Sequence, residues 1–210
     1  FNARYSVKFI LTEVFQMKNE KVLTLVEGAV MVALATVLSF IKIINLPWGG
    51  SITLLSMLPI VIFSLKRGIG AGLAASFVFS LIQFGQGCAE GLMGWGLTPA
   101  ALIGCILLDY ILAFTVLGLA GMFRNHGIPG MIGGSVLAMV LRLVCHYISG
   151  MVIFGSFGEL WNGLTINEPW LYSLLYNGAY MLPEIVFTTV GVVILLSVPQ
   201  IRKLIKTYNT

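Results

Sequence analysis

Four ionisable side chains interrupt long apolar runs: Asp109 in LLDYILAF, Arg142 and His146 in LRLVCHYISG, and Glu184 in LLYNGAYMLPE. A charge at the centre of a helix in hydrocarbon costs at least ~2.5–3.5 kcal/mol, so such residues face a protein interior and pair or bind something. On a helix, Arg142, His146 and Gly150 follow one another at four-residue spacing and share one face. Tyr172, Tyr176 and Tyr180 repeat that spacing, and Asn177, Tyr180 and Glu184 also share a face. An acid compensates positive charge, imidazole and amide groups read ring nitrogens, and aromatic rings stack. Gathered together, these residues describe a pocket for a small, flat, nitrogen-rich and cationic solute. Plainer readings compete. Asp109 and Arg142 would neutralise each other in an ion pair that sets helix register. Tyrosines spaced by four commonly just pack, and a lone His in a helix is commonly a hydrogen-bonded core residue.

The elements that must position these residues are membrane helices. The chain has 210 residues, of which 58% are hydrophobic and 10% charged, with a mean hydropathy of +0.98. Soluble domains carry about 25% charged residues, so this excess of apolar surface implies contact with lipid. A crossing helix needs about 20 apolar residues. Six candidate spans follow: 22–44, 51–65, 68–84, 98–123, 129–154 and 170–198. The expected fold is an all-α, polytopic bundle of six transmembrane helices in one domain, residues 22–200. Residues 1–21 form a lead that is amphipathic or partly foreign to the natural chain, and residues 201–210 form a basic tail. The lead mixes Arg4, Lys8, Glu13, Lys18 and Glu20 into its sequence, unlike a removable signal peptide.

Charge orients the bundle. With the termini cytoplasmic, Arg4, Lys8, Lys18, Lys21, Lys66, Arg67, Arg124, Arg202, Lys203 and Lys206 lie on one side. The external loops then carry only Glu90, Glu159 and Glu168, while Lys42 snorkels from the outer end of the first helix. This is a strong positive-inside asymmetry. At about 1.5 Å rise per residue, Asp109 sits roughly 15 Å and His146 roughly 12 Å from the outer ends of their helices. The pocket is expected to open outward between the fourth, fifth and sixth helices and the external loops. The external segment around Trp161 and Trp170 is long enough for a lid, or it supplies an interfacial aromatic belt.

Several chemistries lack their signatures. There is no P-loop, no H-E-x-x-H and no C-x-x-C. Cys88, Cys105 and Cys145 read as small buried hydrophobes. The chain is therefore not expected to be an enzyme or to hold a metal or cofactor. No obvious inverted repeat supports a self-sufficient carrier, so energy is expected from partner proteins.

The strings GGSITLLSMLPIVIFSLKRG, LLDYILAF, LRLVCHYISGMVIFGSF and LYSLLYNGAYMLP occur in this order. Together they resemble the thiamine-specific substrate-binding (S) components, the ThiT type, of energy-coupling factor (ECF) transporters. The resemblance covers about residues 22–200. It implies six helices, an outward-facing thiamine pocket, and partnership with a transmembrane coupling protein and two cytoplasmic ATPases in the cell membrane. It further implies that Asp109 and Tyr110 are the acidic–tyrosine pair of the pocket, with His146, Gly150, Tyr172 and Asn177 as further contacts and Arg142 at its edge. Where relatives carry a stacking Trp this chain has Phe154, and Trp161 is a substitute for it. Relatives also carry a Trp and an acid near the start of the second helix; here Trp48 is present without the acid, leaving Ser51 or Thr53 for a polar role. Docking on the coupling protein would use small residues of the first helix, Gly28, Ala29 and Ala33, whose other reading is packing within the chain. Three alternatives stand beside this reading. They are an S component for another vitamin or a thiamine precursor, a standalone proton-coupled carrier using Asp109 and His146 as relay, and a structural subunit that binds no solute.

Overall fold

A computed structural model describes residues 3–155, 158–161 and 163–206. Six helices form the bundle. Helix α1 (Ala3–Ser39) runs unbroken through the lead into the first span. It stops short of the expected end at residue 44, because the β-branched stretch around Ile43 and Ile44 leaves the helix for a strand. Strand β1 (Lys42–Asn45) pairs antiparallel with β2 (Ser51–Thr53). Lys42 therefore lies on this hairpin, not on the first helix. The expected second helix loses its first turns to the same hairpin. Helix α2 is Leu58–Arg67, with Pro59 in its first turn.

Helix α2 is ten residues long, so at ~1.5 Å per residue it cannot cross the hydrocarbon alone. Its positions 59–65 are all buried, which places it inside the protein rather than against lipid. Gly68, at φ 87°, ends it in a backbone region that favours glycine. Helix α3 (Ile69–Ala89) follows at once. Helix α4 occupies 99–126 and changes its winding along the way. Pro99–Cys105 is α-helical, Ile106–Leu112 is π-helical, Ala113–Thr115 is α-helical and Val116–His126 is 3₁₀-like, with a break at Phe123. The chain then turns back into α5, which comprises Gly127–Ser149 and a π-helical end, Gly150–Phe154. Helices α4 and α5 pack against each other along their length. A second hairpin, β3 (Gly158–Trp161) with β4 (Leu164–Ile166), leads to the 29-residue helix α6 (Pro169–Ser197). A short helix α7 (Pro199–Lys206) takes up part of the expected basic tail and buries Ile205 in a cluster with Val61, Leu65 and Leu196.

One contact explains how three helices approach so closely. Ser64 of α2 donates its hydroxyl to Gly118 O and accepts from Gly121 N at 3.0 Å. A β-carbon on Gly118 would strike the backbone of Leu73, and one on Gly72 would come within 2.9 Å of Gly118 O. Small residues thus bring α2, α3 and α4 together backbone to backbone. At the basic end, Glu27 of α1 accepts from Lys66 and Arg67 at 2.8 Å each, and Arg67 also reaches Glu20. Lipid takes the other faces: Leu182, Val186, Val190 and Ile194 form an exposed stripe on α6, while Tyr180, Glu184, Thr188 and Gly191 are buried. The candidate docking residues divide in the same way. Ala29 and Ala33 are exposed, whereas Gly28 is buried with its α-carbon face against Phe63, so it packs within the chain.

Gly118→Leu should destabilise the bundle by about 1–3 kcal/mol, the usual range for overpacking. Gly70→Leu, where a new β-carbon meets nothing within 4 Å, should leave thermal unfolding in detergent nearly unchanged. Equal melting temperatures for the two variants would contradict the close helix crossing.

Candidate functional site

A cavity of about 1000 Å³ lies among the helices. Besides α4, α5, α6 and the external β1–β2 hairpin, α1 and α3 also wall it, which the sequence reading did not include. The π-helical stretches of α4 and α5 both contribute to its lining, Asp109 and Tyr110 from one and Gly150, Ile153 and Phe154 from the other. An extra residue per turn displaces the side chains that follow, a distortion often seen at functional sites.

Asp109 is the centre of the polar wall. Its Oδ1 lies 2.9 Å from His146 Nδ1, and its Oδ2 accepts from Ser149. Against an ionised carboxylate, which only accepts, a neutral His146 carries its proton on Nδ1 and keeps Nε2 as an acceptor. Nε2 is buried without a hydrogen-bond partner in the protein, and His146 lines the cavity. The Asp109–Arg142 ion pair of the plainer reading is not formed. Arg142 lies one turn deeper, its guanidinium carbon 4.4 Å from the Phe114 ring centroid, and the donors of α5 nearer Asp109 take both carboxylate oxygens.

Asn177 enters the same wall but is largely committed to the scaffold. Its Nδ2 donates to His146 O at 3.2 Å and Ser173 O at 2.9 Å, and its Oδ1 accepts from Tyr180 OH at 2.8 Å. Gly150 leaves room for a neighbouring helix, since a β-carbon there would strike Ser173 Oγ. Aromatic rings continue the wall. Tyr172 and Tyr176 stack at 6.4 Å and 16°, and Tyr180 stands edge-on to both Tyr176 and His146. Tyr110 faces Phe84 edge to face at 5.7 Å.

Phe154 lines the cavity, and its aromatic neighbour is Trp95, at 6.0 Å and 62°. Trp161 does not line it; that residue ends strand β3 on the second hairpin. The tryptophan beside Phe154 at the cavity is thus Trp95, from the loop after α3. The side chain of Trp48 and residue Phe157 lie outside the described residues. Ser51 and Thr53 line the cavity in place of an acid, and Thr53 donates through N and Oγ1 to Glu184 Oε1 at 2.5 and 2.7 Å.

Sequence reasoning missed the contribution of α3. Gln83 and Gln86 each donate to Ser39 Oγ, at 3.1 and 2.9 Å, and all three residues line the cavity. The signal was present as two amides three residues apart in the apolar run SLIQFGQG. At the mouth, Lys42 of the hairpin pairs with Glu90 just after α3. Tyr176 holds the turn of that hairpin, accepting from Gly50 N and donating to Pro47 O.

The family model described as thiamine transporter protein matches residues 25–204. A thiamine transporter ThiT of Bacillus subtilis (strain 168) is 29% identical over 201 residues, spanning 89% of this chain and 97% of that protein. A thiamine transporter ThiT of Lacticaseibacillus paracasei is 26% identical over 203 residues, spanning 88% and 92%. A solved structure of ThiT from Listeria monocytogenes superposes with a TM-score of 0.66 at 27% identity, covering 89% of this chain and 98% of that one.

In solute-free protein, Asn177→Leu should lower stability by about 1–3 kcal/mol, since it strips buried groups of their partners. Thermal unfolding without solute checks this. An unchanged melting temperature would show that Asn177 is no strut between α5 and α6.

Proposed function

The chain belongs to the thiamine transporter protein family, and from that premise we propose that it is the substrate-binding component of an ECF-type vitamin importer, taking thiamine into the cavity around Asp109. The observation that carries the reading is the wall made by Asp109, His146 and Ser149. It offers a carboxylate held in place by two donors, with an imidazole acceptor beside it. Thiamine joins an aminopyrimidine to a cationic thiazolium ring. The carboxylate compensates the cation, His146 Nε2 accepts from the exocyclic amine, and the rings of Tyr110, Phe154, Trp95 and Tyr172 offer faces and edges to the two heterocycles. Asn177 and Gly150 act mainly by shaping the wall, and Arg142 sits below it.

The cavity mouth lies at the end of the bundle opposite the Glu27, Lys66 and Arg67 cluster. With that basic end cytoplasmic, the cavity faces outward and both termini face inward. Energy then comes from a coupling protein and its two ATPases. Ala29 and Ala33, exposed on α1 among Val26, Val30 and Val37, are the proposed contact with the coupling protein, because small side chains permit close helix approach.

Calorimetry on detergent-purified protein should show saturable thiamine binding, accompanied by a change in tryptophan fluorescence. Asp109→Ala should weaken it at least about tenfold, the scale of one lost charge-assisted hydrogen bond. Riboflavin and biotin should not compete. Absence of both heat and fluorescence change would refute the thiamine assignment, and uptake in cells without the coupling proteins would favour a standalone carrier.

A further inference from the structure

Tyr110 leaves α4 within its π-helical stretch and crosses to α3, where Gly87 receives its hydroxyl end. A β-carbon at Gly87 would strike the Tyr110 oxygen and stand 2.5 Å from Cζ and 2.7 Å from Cε1. Contacts of a β-carbon under 3.0 Å do not persist, so one side or the other would have to move. Phe84, one turn earlier on α3, meets the same ring edge to face at 5.7 Å and 70°. Together Phe84 and Gly87 make a slot for one tyrosine, with a ring along its side and bare backbone at its end. Gly87 is buried and lines the cavity, as Tyr110 also does. Gly85, two residues away, is exposed, and a β-carbon there meets nothing within 4 Å.

The slot would matter little if the two helices could part, but they are fastened further along. Gly118 of α4 lies against the backbone of Gly72 and Leu73 of α3. Between that crossing and the slot, Phe114 meets Phe79 edge to face at 5.6 Å, both rings buried. With α3 and α4 held at these two levels, the part that yields is the tyrosine ring. A tyrosine turns about two side-chain bonds, and the open space beside Tyr110 is the cavity that it lines. Close-packed interiors elsewhere have no room for an added methyl group. Glycine also weakens a helix interior relative to alanine. Gly87 thus gives up helix stability and gains a seat for the ring.

We propose that Gly87 is a positioning residue for solute binding. Its bare backbone holds the Tyr110 ring against α3 and out of the volume the solute takes, and a side chain at position 87 drives the ring into the cavity. The effect on binding rests on the thiamine reading above; the seating of Tyr110 on Gly87 does not.

The test pairs a crystal structure of solute-free Gly87→Ala with calorimetry on a double-variant cycle. In the crystal the Tyr110 ring is expected to have left Phe84 and to stand in the cavity. Gly87→Ala should weaken thiamine binding about ten- to a hundredfold, the scale of overpacking by one methyl group, with a melting temperature close to wild type. Gly85→Ala should bind as wild type does. A glycine that only supported the fold would lower melting temperature and affinity together. Tyr110→Ala removes the ring that collides, so Gly87→Ala should cost no further affinity in that background. The proposal is overturned if the ring keeps its place in the crystal, or if Gly87→Ala binds thiamine as tightly as wild type. It is equally overturned if the glycine change costs as much without the ring as with it. Should Gly87→Ala not fold, the double variant decides: recovered folding supports the collision with Tyr110, and failure to fold overturns it. Absence of thiamine binding by wild type would remove the thiamine reading, and the solute-free crystal alone would then decide where Tyr110 sits.

Discussion

A carboxylate within the depth of a bilayer must find its donors in its own chain, because lipid offers none. Asp109 meets this constraint through His146 and Ser149, both on the neighbouring helix α5. Much of the architecture follows from that demand. The two helices must run side by side, which the break at Phe123 and the turn at Gly127 permit. Helix α4 must also hold its place against α2 and α3, which Gly72, Gly118 and Gly121 allow by removing side chains at the crossing. The arrangement then orients the histidine: a proton committed to Asp109 leaves Nε2 as the acceptor that the protein itself does not use.

The polar lining is thus scaffold and recognition surface at once. Asn177 and Tyr180 spend most of their capacity holding α6 to α5, and Glu184 uses one oxygen to hold the β1–β2 hairpin from beneath. The same helix grips the hairpin turn through Tyr176. The wall nearest the mouth is therefore fastened from α6, with the Lys42–Glu90 pair on the side of α3. The opposite end of the molecule is built differently. There Glu27 gathers Lys66 and Arg67 into a network that joins α1 to α2. A network of partly buried pairs restrains helix ends better than isolated surface pairs do.

The membrane class, the helical content and the polar and aromatic residues that α4, α5 and α6 bring to the cavity were legible in the sequence. Long apolar runs admit few alternatives in a bilayer, and ionisable residues inside them must turn inward. Four-residue spacing placed His146 with Arg142, and Asn177 near Tyr180, because within a regular helix spacing is geometry. The reading failed where that regularity ended. β-Branched residues after Ser39 left the helix for a hairpin, and Lys42 moved with them. Trp161, close to the pocket in sequence, went to the second hairpin, and Trp95 from another loop stands beside Phe154 instead.

The sequence by itself determined which residues leave water and which polar groups they must carry with them, since burial and helix period are local properties of a chain. Only the tertiary structure decided who partners whom. Asp109 lies 37 residues from His146, and Thr53 lies 131 from Glu184. Spacing carries no information across a turn, so the choice of Ser149 over Arg142 for Asp109 came from helix winding and close packing. Hydropathy was equally silent on the position of α2, whose apolar residues look no different from those facing lipid. Its burial follows from the glycines of its neighbours, which leave space for one short helix in the middle.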